Sequence, residues 1–127
     1  MGTYIEDIEM MRSFIQRKRK ERSQFLADKL EEARRDFQKI IKVLIEEYKP
    51  KAIYQWGSLV EGSTFQEISD IDIAISGITD PEKYFKLCNR ISVLSTFPIH
   101  VVQLELIHPL YADEILKKGI CIYERPI

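Results

Sequence analysis

Two aspartates, Asp70 and Asp72, stand two positions apart in the run Asp-Ile-Asp-Ile-Ala-Ile. Residues two apart in a strand project from the same side, roughly 6.5–7 Å from each other, while the isoleucines between them enter the core. Neighbouring carboxylates repel each other and lose hydration, which raises a pKa unless a cation lies between them. Mg²⁺ takes one or two carboxylates together with phosphate oxygens. The pair therefore predicts a site for Mg²⁺ (or Mn²⁺), and two solvated acids on an edge strand are the alternative.

A glycine and a serine, Gly57 and Ser58, end the strand-like run that precedes this pair. Glycine permits a close backbone approach, and the N–H groups at the start of a following helix bind anions. The Ser58 hydroxyl adds a donor, although Gly-Ser alone is typical of an ordinary turn with serine as the cap. Eleven residues separate Ser58 from Asp70. Donors for phosphate oxygens and a metal for phosphate charge together predict a nucleoside triphosphate site.

The periodicity of the first 49 residues predicts the helix that supports this site. Apolar residues recur there at steps of three and four, and Pro50 ends the pattern. These residues are Leu26, Leu30, Ala33, Phe37, Ile40, Ile41, Leu44 and Tyr48. An earlier segment with Ile5, Ile8, Met11 and Ile15 is predicted as a separate short helix that packs on a partner or on a second copy of the chain. We therefore divide the chain into a helical extension, residues 1–25, and one domain, residues 26–127.

Strands and helices alternate after Pro50. The pattern predicts strands at 52–56, 70–75, 98–107 and 120–123, and helices at 59–68, from Asp80-Pro81, and from Pro109 to Gly119. This alternation indicates one small α/β (α+β) domain with a long N-terminal helix.

Composition excludes several classes of function. The net charge of −1 is too small for strong attraction to nucleic acid, and the run Arg17–Lys20 is interpreted as a solvated helix face. No apolar run is long enough to span a membrane, and Met1–Met11 lacks the pattern of a signal peptide, so we expect a cytoplasmic protein. Cys88 and Cys121 are predicted to be buried free thiols.

The motif Trp56-Gly57-Ser58, a spacer containing Gly62, and Ser69-Asp70-Ile71-Asp72-Ile73 resembles the signature of the DNA polymerase beta-like nucleotidyltransferase superfamily. The resemblance covers roughly Phe37 to Tyr123. It is strongest to the minimal nucleotidyltransferases, which are often paired with HEPN-domain proteins as antitoxins.

This resemblance implies a small mixed β-sheet flanked by helices and a reaction that moves a nucleoside monophosphate, AMP from ATP, to an acceptor hydroxyl on a partner. It implies Asp70 and Asp72 as metal ligands and catalytic residues. It implies Gly57, Ser58 and Ser69 as nucleotide contacts, and a HEPN-domain protein as the partner.

Two positions depart from the family pattern. The third carboxylate that active members carry falls on His100, which is a poor ligand for Mg²⁺ but suits softer metals, can act as a general base, or simply packs in the strand. Glu105 has the opposite parity and would replace it only after a register shift. Glu61 stands where minimal members carry a basic residue. An active transferase and a degenerate module that binds a nucleotide or a partner without transfer therefore both remain open, and a glycosyltransferase would be a much larger domain.

Overall fold

The computed structural model describes residues 4–57 and 70–126. Within these ranges the chain forms helix α1 (Tyr4–Val43, continued by a π-helical turn, Leu44–Tyr48), strand β1 (Ala52–Trp56), strand β2 (Ile71–Ser76), helix α2 (Pro81–Ser92), strand β3 (Ile99–Gln103), helix α3 (Pro109–Lys118) and strand β4 (Ile120–Glu124). The predicted helix over 59–68 lies outside the described residues. The other elements predicted after Pro50 are present, but the strand predicted over 98–107 is shorter and ends at Gln103, where the chain turns.

Helix α1 is a single helix of 40 residues, so the prediction of a separate short helix near the N-terminus is wrong. The polar stretch that suggested a break, residues 16–24, is rich in arginine, lysine, glutamate and glutamine, which are good helix formers. The apolar stripe begins to be buried at Leu26 and ends in the π-helical turn. Lys49 then adopts a left-handed conformation with φ 49° and donates its N–H to the Leu44 carbonyl at 3.0 Å before Pro50 stops the helix.

The four strands form one mixed sheet in the order β3-β2-β1-β4. Strand β1 runs antiparallel to both of its neighbours, while β2 and β3 are parallel and are joined through α2. The expected architecture, a small mixed sheet with helices and a long N-terminal helix, is confirmed.

One face of the sheet makes the hydrophobic core with α1 and α2. Its central side chains are fully buried and come from alternating positions of the strands; the main ones are Ile53, Ile71, Ile73, Ile75 and Val101. They pack on Phe37, Ile40, Leu44, Leu87 and Ile91 of the helices. The alternate residues, among them Asp72, therefore project from the other side, which we call the site face.

Both later helices begin at the predicted signals. The Asp80 carboxylate accepts a hydrogen bond from the Lys83 N–H at 3.2 Å, and Pro81 occupies the first turn of α2. His108 Nδ1 accepts from the Leu110 N–H at 3.1 Å at the start of α3, and Gly119 follows its last turn.

The cysteine prediction is only partly right. Both thiols are free, and Cys88 is half-buried on α2, but Cys121 is exposed. The reason is that β4 is an edge strand with only two partly buried residues. Among the described helices, none is long and apolar enough to cross a bilayer.

Candidate active site

The aspartate pair lies at the beginning of β2. Asp70 immediately precedes the strand and Asp72 is its second residue, while Ile71 and Ile73 are completely buried in the core. The backbone N–H of Ile71 donates to the carbonyl of Pro98, the residue before β3, at 2.9 Å. This hydrogen bond fixes the backbone next to Asp70. The side chain of Asp72 retains 15% exposure. The carboxylate is therefore reachable from solvent but has lost most of its hydration.

Gly57 lies directly against this carboxylate. Its φ is +78°, a left-handed conformation that side chains disfavour. A Cβ atom placed on Gly57 would collide with Asp72 Oδ2 and would lie only 2.9 Å from Asp72 Cγ. The site therefore needs a glycine here for two reasons, the backbone conformation and the space that the Asp72 carboxylate occupies.

The neighbouring strands place an aromatic ring on each side of Asp72. Trp56 on β1 and His100 on β3 are its cross-strand partners. Asp72 Oδ1 lies 3.5 Å from His100 Nδ1, and the centroids of the Trp56 and His100 rings are 6.0 Å apart. Since two strand spacings separate β1 from β3 by nearly 10 Å, the two rings lean towards each other across Asp72. They form two walls of the site.

The electrostatics of Asp72 follow from these surroundings. Burial is the largest influence and raises the pKa of Asp72 above its ordinary value, and the charge of Asp70 raises it further. The proximity of His100 and its hydrogen bond act in the opposite direction. Because removal from water outweighs the help from His100, the ionised carboxylate lacks sufficient compensation from the described residues. A divalent cation would supply it.

The described residues contain no group of three or more histidines, cysteines and acids arranged to hold a metal ion. In the described part of the chain, the carboxylates at the site are those of Asp70 and Asp72, and His100 occupies the place next to Asp72. This set suits a cation that takes one or two carboxylates and completes its coordination with phosphate oxygens and water.

Glu105 belongs to another part of the molecule. Its Oε2 accepts a hydrogen bond of 2.7 Å from the N–H of Gly77, which follows the last residue of β2. Gln103 also bonds there, through its Nε2 to the Ile78 carbonyl at 3.0 Å. The register shift that would bring Glu105 to the aspartates is therefore absent, and Glu105 closes the turn at the far end of β2.

The predicted site residues thus separate into two groups. The structure brings together Gly57, Asp72 and His100 and places Asp70 close enough to influence Asp72. Ser58 and Ser69, like Glu61, lie outside the described residues.

The motif predicted no role for Trp56 beyond preceding Gly57, yet Trp56 forms a wall of the site. Its indole N–H is buried and has no hydrogen-bond partner among the described residues. The signal was available in the sequence: an aromatic residue directly before Gly57, at the position where β1 ends.

Residues 38–127 match the family model described as "Polymerase beta, Nucleotidyltransferase". The chain belongs to this nucleotidyltransferase family. The match covers β1 to β4 and the end of α1, and leaves α1 as far as Phe37 outside. No functionally curated protein sequence matches the chain.

Solved structures with the same fold include partners of toxin–antitoxin complexes. A toxin–antitoxin structure with AMP-PNP is 25% identical, with a TM-score of 0.59, 69% of this chain and 73% of that chain covered. The complex of a tri-AMPylated Shewanella oneidensis HEPN toxin with its MNT antitoxin matches at 22% identity and a TM-score of 0.57, with 73% of each chain covered.

A third structure is described only as a candidate minimal nucleotidyltransferase. It is 18% identical, with a TM-score of 0.57, 72% of this chain and 93% of that chain covered. The predicted resemblance to the minimal nucleotidyltransferases is confirmed by these family and fold matches.

Proposed function

We propose that this chain is a Mg²⁺-dependent nucleotidyltransferase that moves the nucleoside monophosphate of a triphosphate, AMP from ATP, onto a hydroxyl of a HEPN-domain partner. The observation that carries the proposal is the desolvated carboxylate of Asp72, pressed against Gly57 and influenced by the charge of Asp70. The similar structures that contain AMP-PNP and an AMPylated HEPN toxin support the choice of nucleotide and acceptor. The cytoplasm, which supplies ATP, is the compartment that fits this reaction.

Asp70 and Asp72 are the residues that would hold the cation, Mg²⁺ or Mn²⁺. Their oxygens are the ligands that such ions prefer, and a bound cation would offset the cost of ionising Asp72. When bound, the metal neutralises triphosphate charge and stabilises the charge that develops on the transferred phosphoryl group.

Nucleotide contacts are assigned to Gly57, Ser58 and Ser69. Gly57 has no side chain, so its backbone lies against the Asp72 carboxylate and would lie close to a phosphate that the cation holds there. The hydroxyls of Ser58 and Ser69 would donate hydrogen bonds to phosphate oxygens. The bulky indole of Trp56 would exclude water from one side of the site.

The reaction breaks one bond and forms one. The acceptor hydroxyl oxygen forms a bond to the α-phosphorus while the bond between the α-phosphorus and the oxygen that bridges to the β-phosphate breaks. Pyrophosphate leaves with that electron pair. The proton of the acceptor hydroxyl passes to His100, whose Nδ1 faces Asp72 Oδ1 at 3.5 Å. Asp72 therefore orients the ring so that the other nitrogen, Nε2, accepts the proton.

A second candidate is a module that binds the nucleotide or the partner without transfer. The observation that favours it is His100 itself, which stands beside Asp72, at the position where the family resemblance leads us to expect a third carboxylate. Such a module would keep the fold and the aspartates but would release no pyrophosphate.

Labelled ATP distinguishes the two candidates. The chain is co-expressed with a HEPN-domain partner, purified, and incubated with Mg²⁺ and ATP labelled at the α- or the γ-phosphate. Transfer predicts that only the α-label becomes attached to the partner and that pyrophosphate appears in equal amount. Binding of ATP without either product would overturn the transferase proposal in favour of the binding module.

Two variants control this experiment. The double variant Asp70→Asn/Asp72→Asn should lose transfer by at least about 100-fold, because it removes the charged metal ligands. Asp113→Asn removes one exposed carboxylate from α3 and should transfer like the wild type. Equal loss in both variants would point to a general effect of charge instead of a metal site.

A further inference from the structure

The first half of α1 extends beyond the core. Every described residue from Tyr4 to Phe25 is exposed, and Leu26 is the first buried residue of the helix. At 1.5 Å per residue this segment is about 33 Å long. It also lies outside the family match, which begins at residue 38. The nucleotidyltransferase fold therefore does not account for this segment.

The segment is rich in exposed apolar side chains. Met11 is 64% exposed and Phe14 is 52% exposed, and together with Met10 and Ile15 they line a shallow groove of about 380 Å³. Further exposed apolar residues are Tyr4, Ile5, Ile8 and Phe25. A helix that stayed in solvent without a partner would not need so many apolar side chains in about six turns.

A heptad pattern aligns part of this surface along one line of the helix. Alternating steps of three and four residues connect seven positions, which we call the heptad stripe: Tyr4, Asp7, Met11, Phe14, Lys18, Glu21 and Phe25. Its centre is apolar, Asp7 lies on the N-terminal side of that centre, and Lys18 and Glu21 lie on the C-terminal side. This distribution of charge along the heptad stripe indicates which partner the stripe would bind.

We propose that the first half of α1 pairs with the same segment of a second copy of the chain, antiparallel, through the heptad stripe. In an antiparallel pair of heptads, Met11 lies against Phe14 of the second copy and Asp7 lies against its Lys18. The twofold axis of the pair generates each of these two contacts a second time. Ile8 then lies beside Ile15 of the second copy on the flank of the stripe.

The charges select the antiparallel arrangement. A parallel pair would place Asp7 next to Asp7 and Lys18 next to Lys18, which is repulsive at both ends. The antiparallel pair converts both into attractive contacts. The wider distribution of charge agrees, since Glu6, Asp7 and Glu9 precede the apolar centre and Arg17–Lys20 follow it.

This pairing leaves the candidate active sites apart. Because each nucleotidyltransferase domain follows Phe25 of its own chain, an antiparallel pair places the two domains at opposite ends of the helix pair. The interface is isologous and closes on itself, so it stops at a dimer. The proposal is independent of the transferase activity and can fail or hold without it.

A charge exchange tests the pairing in the full-length chain. Sedimentation equilibrium of the wild type should show a dimer of twice the 15.0 kDa chain mass. Asp7→Lys and Lys18→Asp should each raise the dissociation constant at least about tenfold, because each single change turns two attractive layers into repulsive ones. The double variant should restore dimerisation to within about threefold of the wild type.

Rescue by the double variant can only act between chains, because positions 7 and 18 lie about 16 Å apart along one helix. Matched controls come from the opposite side of the helix: Glu9→Lys and Lys20→Glu make equal charge changes and should leave the dissociation constant within about threefold. Circular dichroism verifies that each variant keeps its helix. The unfolding temperature reports on the domain separately.

Three results would overturn the pairing. One is a wild-type chain that remains a monomer at every attainable concentration. A chain that associates only with a different protein counts as the same result. Another is a dimer that both single variants leave unchanged, which would indicate a different surface or a parallel pair. The third is a double variant as weak as the singles.

Discussion

Asp72 and His100 stand opposite each other on adjacent parallel strands, with Asp72 Oδ1 3.5 Å from His100 Nδ1. The backbone ladder fixes both residues, so a change at position 100 acts directly on the surroundings of the Asp72 carboxylate. The His100 side chain is also 62% exposed, whereas that of Asp72 is only 15% exposed. His100 is therefore the member of the pair that an acceptor hydroxyl could approach, and Asp72 is the member suited to orient it.

Replacing the histidine tests its role as a base. His100→Gln should lower the transfer rate about 100-fold, because glutamine cannot take the proton of the acceptor. Nucleotide affinity should stay within about threefold, since the aspartates remain. The measurement compares kcat with the dissociation constant of the nucleotide, and the loss should be confined to kcat. A variant that keeps the wild-type kcat would contradict the role.

The reverse experiment places a carboxylate at position 100. His100→Asp should retain or raise transfer, because a carboxylate beside Asp72 can both accept the proton and add an oxygen ligand for the metal. The comparison is the initial rate for histidine, glutamine and aspartate at position 100, each at saturating Mg²⁺. Equal rates for all three would place this position outside the chemistry.

Gly57 provides a test of the close approach to Asp72. Gly57→Ala should destabilise the fold by about 1–2 kcal/mol, because of its positive φ and the collision with the carboxylate. Gly77→Ala is the matched control. It has φ +86° and its Cβ would lie 2.6 Å from Lys51 Cγ, at the other end of β2.

Both glycine variants should unfold at lower denaturant concentration. At a temperature where both are folded, Gly57→Ala should lose transfer at least tenfold, or about 1.4 kcal/mol, while Gly77→Ala keeps it. Parallel losses of activity in the two variants would mean that only stability had changed.

The fold was predictable where local signals determine it. Alternating isoleucines defined β2, and proline at the first turn defined the starts of α2 and α3, because these signals depend only on neighbouring residues. β3 was predicted as far as Ile107 but ends at Gln103, since the Gln103 carbonyl accepts from the N–H groups of Leu106 and Ile107 and turns the chain. That turn replaces pairing with the sheet, and the alternation of apolar and polar residues in the sequence does not indicate it.

Local patterns alone did not predict the long-range relationships. The closeness of Asp72 and His100 was expected only from the family resemblance, because it depends on the register of two parallel strands that α2 connects, and register is fixed by packing of the whole core. The placement of Glu105 against Gly77 depends on the same register. The spacing from glycine to the aspartates indicated a common site, whereas the contact of Gly57 with the carboxylate emerged only from the antiparallel pairing of β1 and β2.

The aspartate pair should govern nucleotide binding. In calorimetry with a non-hydrolysable ATP analogue, Asp70→Asn/Asp72→Asn should abolish the Mg²⁺-dependent part of binding while the chain stays folded. Asp113→Asn, on α3, should bind like the wild type. Unchanged Mg²⁺-dependent affinity in the double variant would remove the aspartates from the site.

The raised pKa of Asp72 predicts how stability depends on pH. A carboxyl group whose pKa is higher in the folded chain than its ordinary 3.8 binds more protons when folded, so its contribution to stability falls as pH rises. The penalty is complete above the folded-state pKa and absent below pH 3.8. Asp72→Asn, which cannot ionise, should therefore be more stable than the wild type near pH 7, by about 0.5–2 kcal/mol, and no more stable near pH 3. Urea unfolding at both values measures the difference, and added Mg²⁺ at pH 7 should stabilise the wild type selectively because a cation relieves the same carboxylate. A variant that is less stable than the wild type at pH 7 would show that the Asp72 charge is already compensated within the folded chain.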